Sequence, residues 1–163
     1  PRHRGLVVAL REIRTMARPK APPAPPASPD EVEQQFYEAL QRADLDQLMA
    51  VWADDDDVVC VHPGGPRVVG PVAVRAAFEA IFGNGAIDVH PERVRRLHHH
   101  GCEIHSVLEQ VRVMTDEGAR TGWVVATNVF VKTAQGWRLA AHHASPGMPH
   151  DVDELVEAGS TLH

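Results

Sequence analysis

The chain is predicted to fold as an α+β protein, with helices first and a meander of long strands after them. Three segments with helical apolar spacing lie between residues 29 and 83, and four runs rich in β-branched and aromatic residues follow residue 86. Helices and strands that occupy separate parts of a chain are typical of this class. The 163 residues fit one domain with a substantial core.

Capping residues mark where the helices begin. Ser28 fits an N-cap ahead of a first-turn proline, and apolar residues at helical spacing then predict a helix over about 29–43. Asp44 begins a second, short helix, which the run of four aspartates at 54–57 ends because carboxylates oppose the dipole at a helix C-terminus. Pro71 begins the third helix.

The last strand ends in two adjacent histidines, which must point to opposite faces of the sheet because side chains alternate along a strand. Strict alternation from Trp137 and Leu139 places His143 inside and His142 outside. The predicted strands cover about 86–99, 102–114, 120–132 and 136–145.

The ends of the chain are predicted to lie outside the domain, which covers 29–146. Residues 1–28 read as an extended, Pro/Ala-rich extension, and residues 147–163 as a C-terminal tail. The arginine-rich start is either an upstream extension, with Met16 as the natural start, or a weak targeting segment.

Composition excludes several kinds of partner. The 16 Lys and Arg residues against 22 Asp and Glu give a net charge of -6, which predicts neither nucleic acid nor an anionic membrane as a partner. No apolar run approaches the roughly 20 residues that span a bilayer. The two cysteines lack a pairing motif, so a reducing compartment is expected, with the cytoplasm as the predicted location.

The order of elements, with FYEALQRADLDQLMAVWADD early and GWRLAAHHASP at the end, resembles the nuclear transport factor 2-like superfamily, also called SnoaL-like or cystatin-like. The resemblance covers about 29–146. It implies a cone-shaped barrel, in which a strongly curved antiparallel sheet wraps around the three N-terminal helices. It also implies a pocket at the open end of the cone and a homodimer formed through the outer sheet face. Ketosteroid isomerases, polyketide cyclases and the association domain of calcium/calmodulin-dependent kinase II share this fold, so the fold alone does not imply one activity.

The resemblance to ketosteroid isomerase does not extend to its catalytic residues. Phe36 stands where the isomerase has a tyrosine, while the neighbouring Tyr37 is expected to face elsewhere. His62, before a proline, takes the place of the catalytic aspartate, and Thr127 lies near the place of the second hydrogen-bond donor. Steroid isomerisation is therefore not implied.

The candidate catalytic residues are His62 as a general base, His143 as its acid or orienting partner, and Thr127 as a hydrogen-bond donor. No cofactor is predicted, because nothing resembles a dinucleotide fingerprint. No metal site is predicted, because two histidines are too few ligands, and the histidines at 98–100 read as a solvated hairpin tip. The candidate ligand-binding residues are Phe36, Trp52, Cys60, Val125 and Ala141.

Two hypotheses about function follow. In the first, the chain binds a small organic molecule in a conical pocket and carries out proton-transfer chemistry of the isomerase, dehydratase or cyclase type. In the second, it is a non-catalytic association domain with a vestigial pocket. The candidate residues for the associating outer face are Val124, Ala126, Asn128, Phe130, Arg138, Ala140 and His142.

Overall fold

The computed structural model describes Pro26 and residues 28–148, so the extension predicted before Ser28 and the tail beyond residue 148 lie outside the described residues. The elements are helices α1 (Pro29–Arg42), α2 (Leu45–Ala50) and α3 (Pro71–Phe82), and strands β1 (Val59–Val61), β2 (Arg67–Val69), β3 (Asp88–His99), β4 (Cys102–Thr115), β5 (Gly118–Thr133) and β6 (Gly136–Pro146). The predicted α+β class is confirmed. No helix in this part of the chain is long and apolar enough to cross a membrane.

The helices begin where the capping residues predict. The side chain of Ser28 accepts a hydrogen bond from the backbone N–H of Glu31 at 3.2 Å, and α1 ends at Ala43, whose φ of 50° is left-handed. The carboxylate of Asp44 caps α2 in the same way, by accepting from the N–H of Gln47. These local interactions fix the helix ends.

The six strands form one open sheet in the order β2-β1-β6-β5-β4-β3. The four long strands form the predicted antiparallel meander, and β1 pairs with β6 in parallel, which makes the sheet mixed. We call the sheet face that contacts the helices the inner face and the opposite one the outer face. Strand β1 leads into the loop that carries His62, and thus brings this loop beside the end of β6.

Strand β6 contains a bulge that reverses the predicted orientation of its second half. Val129 pairs with Ala141 but Phe130 pairs with Leu139, so Ala140 is an extra residue and the alternation shifts by one. His142 is therefore buried, at 4% exposure, and His143 lies exposed on the outer face. The prediction that His143 faces the interior is wrong.

The bulge lies where β6 forms backbone hydrogen bonds with the segment that follows α2. The N–H of Leu139 donates to the carbonyl of Val51 at 2.8 Å, and the N–H of Ala53 donates to the carbonyl of Leu139 at 2.9 Å. These bonds hold Leu139 in place from the side away from β5. They join residues more than 80 positions apart, so the local sequence pattern does not reveal them.

The inner face of β5 is the row that was predicted to face outward. Phe130 is fully buried in the core, beside Phe36, Leu139 and other apolar side chains of the helices and the sheet. Ala126 and Asn128 are buried on the same row. The outer row of β5 instead carries Val125, Thr127 and Val129, which alternate with them.

Candidate functional site

A cavity of about 230 Å³ lies between α1, α3 and the inner face of the sheet. Its walls are mainly apolar, and three of its side chains, His62, Glu109 and His142, are titratable. A mostly apolar cavity with a few polar groups is the usual form of a small-molecule site. The lining residues are Phe36, Leu40, His62, Pro63, Phe78, Ile87, Val89, Glu109, Val111, Val124, His142 and Ala144.

Glu109 places a buried carboxyl group in the wall of this cavity. The residue is 5% exposed, and its Oε2 accepts a hydrogen bond from the hydroxyl of Tyr37 at 2.7 Å. Burial raises the pKa of Glu109 to about 7; the Tyr37 hydrogen bond acts in the opposite direction, and the nearby Glu33 adds to the rise. The carboxyl group can therefore hold or release a proton near neutral pH.

Asn128 connects this carboxyl group to His142. Its Nδ2 donates to the Tyr37 hydroxyl at 3.1 Å and to Oε2 of Glu33 at 3.2 Å, while its Oδ1 lies 2.6 Å from Nδ1 of His142. Exchanging the amide N and O atoms would turn the amide oxygen toward the Glu33 carboxylate, so the hydrogen bonds fix the orientation shown. His142 therefore donates from Nδ1–H to Oδ1.

His142 is a neutral imidazole with a fixed tautomer. Burial, with contributions from His62 and His143, lowers its pKa to about 3. Because Nδ1 carries the proton, Nε2 presents a lone pair. The ring also contacts Phe36, with 5.0 Å between the ring centroids.

His62 lies at the edge of the same cavity and is half-buried. Its ring packs edge-on against Phe78 at a centroid distance of 4.9 Å, and its Nε2 lies 3.7 Å from Sγ of Cys60. Burial lowers the pKa of His62 and raises the pKa of the Cys60 thiol to about 12. Cys60 thus remains a protonated thiol and is not a nucleophile.

A buried cluster of charged side chains adjoins this network through Glu33, which bonds to both Asn128 and His105. Nδ1 of His105 lies 2.7 Å from Oε2 of Glu33, and Nε2 lies 3.0 Å from Oε1 of Glu103. Burial opposes the charged form of His105, but the hydrogen bonds to the two carboxylates outweigh it and raise its pKa. Since both ring nitrogens donate to carboxylates, His105 is an imidazolium that links α1 to β4.

The structure brings only some of the predicted site residues together. Phe36 and His62 line the cavity. Trp52 and Cys60 are buried in the core and are not lining residues. The remaining predicted residues lie on the outer face of the sheet; they are Thr127, Val125, Ala141 and His143. On this face Thr127 pairs with His143, and Ala141 pairs with Val129.

The predicted catalytic set therefore does not form in the cavity. The prediction for His143 continued strict alternation through the bulge, and Thr127 lies on the outer row of β5. Tyr37 is not among the residues that line the cavity, but it is buried and donates a hydrogen bond to Glu109, which does line it. In the sequence, Glu33 and Tyr37 lie one helical turn apart, and Glu103, His105 and Glu109 fall on one face of β4. Such a polar row opposite a polar helix stripe is the signal that sequence reasoning missed.

Among the described residues, no group of three or more His, Cys, Asp or Glu side chains is arranged to hold a metal ion. Glu109 and His142 are connected to one another through Tyr37 and Asn128. The arrangement is suited to hydrogen bonding and proton transfer.

Comparison with known proteins identifies the fold and two kinds of similar protein. A family model described as a SnoaL-like domain matches residues 30–149. A structure from Thiobacillus denitrificans, described as a "putative calcium/calmodulin-dependent protein kinase type II association domain", is 36% identical with a TM-score of 0.69; the match covers 78% of this chain and 100% of that chain. No protein of curated function matches.

A structure from Streptomyces avermitilis, described as a "putative dehydratase" of the nuclear transport factor 2-like family, is 30% identical with a TM-score of 0.64. That match covers 72% of this chain and 92% of the other. A Caulobacter vibrioides protein with a cystatin-like fold is 14% identical over 76% of this chain and 89% of that chain, with a TM-score of 0.64. The last comparison supports the fold alone.

Proposed function

The chain belongs to the SnoaL-like family, and we propose that it binds a small organic molecule in the cavity and moves a proton on it through the carboxyl group of Glu109. The observation that carries the proposal is a buried carboxyl group in an apolar cavity, with a pKa raised to about 7 and one oxygen held by Tyr37. A general acid or base works best when its pKa lies near the working pH. Isomerisation, dehydration and cyclisation all require this kind of step.

The polar groups of the cavity suit different tasks. Glu109 accepts a proton as the carboxylate and returns it as the acid, and a single carboxyl group can thus serve both halves of an isomerisation. His142, with a pKa of about 3, is a poor base and acts instead as a hydrogen-bond acceptor that orients the ligand. His62, at the edge of the cavity, is the second proton-transfer group for a reaction that needs both an acid and a base.

The similarity to the Streptomyces avermitilis protein agrees with this class of reaction. That protein is described as a putative dehydratase, and it is 30% identical to this chain. Dehydration of a β-hydroxy ketone needs one group to remove an α-proton and another to protonate the departing hydroxyl. In this chain, His62 and Glu109 would supply those groups.

Exchange of α-protons for deuterium tests proton transfer without a known substrate. We expect the wild-type protein in D₂O to exchange the α-protons of at least one class among ketones, α,β-unsaturated ketones and β-hydroxy ketones, as measured by proton NMR. Glu109→Gln should slow this exchange by a factor of about 100 or more, because it removes the group that carries the proton. Glu79→Gln makes the same change at an exposed position of α3 and should leave the rate unchanged.

Two results would count against the proposal. One is an equal exchange rate in the wild type and in Glu109→Gln, with both proteins folded by circular dichroism. The other is the absence of exchange for every class of compound at protein concentrations sufficient to detect slow turnover.

Self-association through the outer face is a second candidate function. A row of apolar side chains crosses four neighbouring strands there, since Ala141 pairs with Val129, Val129 with Ile104, and Ile104 with Leu97. Ile104 is 36% exposed and Leu97 is 65% exposed. Apolar side chains that adjoin on a sheet surface often mark an interface. The 36% identity to a protein described as an association domain supports the same function, which is compatible with a cavity on the inner face.

A charge placed in the middle of this row should prevent association. We expect Ile104→Glu to reduce the molar mass of the wild-type oligomer to that of the monomer in analytical ultracentrifugation, because a carboxylate would be buried at the interface without a partner. Val72→Glu introduces the same charge at an exposed position of α3 and should leave the oligomer intact. A monomeric wild type, or an Ile104→Glu protein as large as the wild type, would exclude the outer face as an interface.

A further inference from the structure

Glu109 and His142, the two buried polar residues of the cavity, each have one side-chain atom in the hydrogen-bond network of Tyr37 and Asn128 and one atom without a hydrogen-bond partner, which we call the open atom. Oε2 of Glu109 accepts from Tyr37, and Nδ1 of His142 donates to Asn128. Within residues 28–148, neither Oε1 of Glu109 nor Nε2 of His142 has a hydrogen-bond partner. The single fully buried side-chain N or O atom without a partner in this range is Nε1 of Trp52, so the two atoms of Glu109 and His142 are not fully buried. The open atoms of Glu109 and His142 therefore border the cavity that both residues line.

These open atoms differ in what they can bind. Nε2 of a neutral imidazole whose proton is on Nδ1 can only accept a hydrogen bond. The carboxyl group of Glu109 donates when it is protonated and accepts when it is ionised. A ligand that satisfies both must therefore carry a donor for His142 and, for Glu109, an acceptor when the carboxyl group is protonated or a second donor when it is ionised.

The described residues that line the cavity include no lysine or arginine. Burial keeps both His62 and His142 from taking up a proton readily. An anionic ligand would lose its hydration without gaining a counter-charge and would also face the Glu109 carboxyl group. The cavity is thus unfavourable for carboxylates and phosphates.

We propose that the cavity selects uncharged, mainly apolar molecules that bear a hydroxyl group, which donates a hydrogen bond to Nε2 of His142. This inference rests on the proposed ligand-binding function and names its ligand class. Asn128 is the positioning residue, because its Oδ1 holds the His142 proton on Nδ1 while its Nδ2 holds Tyr37 against Glu109. The apolar body of the ligand packs against Phe36, Phe78 and the valines of the wall.

Three probes that share the naphthalene ring system test the preference for a hydroxyl group and the exclusion of anions separately. An apolar cavity of about 150 Å³ holds benzene, so a cavity of about 230 Å³ suits a two-ring compound. The probes are 2-naphthol, which donates a hydrogen bond, 2-methoxynaphthalene, which cannot donate, and 2-naphthoate, which is an anion. Binding is measured by titration calorimetry at about pH 6, where a phenol is uncharged.

We expect 2-naphthol to bind about tenfold or more tightly than 2-methoxynaphthalene, since the ether leaves the buried Nε2 without a partner. We expect 2-naphthoate to bind the most weakly. In ¹⁵N NMR, 2-naphthol should shift the Nε2 resonance of His142, whereas 2-methoxynaphthalene should not. This last readout needs no variant protein.

A pair of matched variants assigns the preference to one histidine. His142→Phe keeps an aromatic ring and removes the acceptor, so 2-naphthol and 2-methoxynaphthalene should bind it equally. His143→Phe makes the same change on the outer face and should keep the wild-type preference. Unchanged discrimination in a folded His142→Phe protein would overturn the inference.

The outcomes also separate this inference from the proposed function. Equal binding of 2-naphthol and 2-methoxynaphthalene to the wild type, or tightest binding of 2-naphthoate, would overturn the inference while leaving the cavity as a ligand site. If none of the three probes binds, the ligand-binding function and this inference both fail.

Discussion

His105→Phe is expected to lower the free energy of unfolding by about 3–5 kcal/mol, because removing one member of a buried ion cluster leaves the others without compensation. The imidazolium of His105 is fully buried between the carboxylates of Glu33 and Glu103. A phenylalanine fills a similar volume beside Phe130, whose ring centroid lies 4.7 Å from that of His105. The expected loss of stability therefore measures the removal of the charge and not the creation of a cavity. Urea denaturation at about pH 6 measures it.

The control is His90→Phe, which removes an exposed histidine that pairs with Asp88 at 2.6 Å. Exposed pairs contribute about 1 kcal/mol or less, so a small change is expected there. The pKa of His105 is raised on folding, so its contribution to stability is complete below pH 6.5 and is lost as the pH rises through the folded-state pKa. The loss of stability caused by His105→Phe should therefore decrease as the pH rises. A His105→Phe protein as stable as the wild type at about pH 6 would show that the cluster is not an ion cluster.

Glu109→Gln is expected to gain stability relative to the wild type as the pH rises. Folding raises the pKa of Glu109 from 4.5 to about 7, so the group favours the folded state below pH 4.5 and this contribution is lost as the pH rises through 7. At about 1.4 kcal/mol per pKa unit, the loss is about 3 kcal/mol. Glutamine does not titrate, and the wild type should therefore lose about 3 kcal/mol relative to the variant across this interval.

The difference between the two proteins is the quantity to measure, because His142 acts in the opposite direction. Its pKa falls from 6.5 to about 3 on folding, so its contribution is present above pH 6.5 and is lost as the pH falls through about 3. Both proteins retain His142, and its contribution largely cancels in the difference. Denaturation curves at several pH values provide the measurement, with Glu79→Gln as the control for removal of one carboxyl group. A difference that does not change with pH would mean that Glu109 keeps an ordinary pKa.

The sequence predicts the helices and strands well because local interactions define them. Ser28 and Asp44 cap the helices that they precede in the chain, and Pro71 begins α3. The strands agree with the runs of β-branched and aromatic residues to within a few positions at their ends. Each of these signals lies inside the element that it predicts.

The face of each strand is harder to predict, because it depends on contacts between distant segments. The bulge at Ala140 follows from the bonds between Leu139 and the backbone after α2, and it reverses the orientation of both histidines. On β4, the inner face carries Glu103, His105 and Glu109, while the outer face carries Ile104. A prediction that places apolar side chains inside would therefore exchange the inner and outer faces of this strand. Glu109 and His142 were missed for the same reason, since their places on the inner face depend on contacts with Tyr37 and Asn128, which are distant in the sequence.

The adjacent histidines near the end of β6 make the cavity sensitive to the pairing register of this strand. If β6 slipped by one position along β5, either His143 or Ala141 would stand opposite Asn128 in place of His142, and either Ala140 or Arg138 would replace the buried Leu139. The backbone hydrogen bonds of Leu139 to Val51 and Ala53 therefore also decide which imidazole borders the cavity.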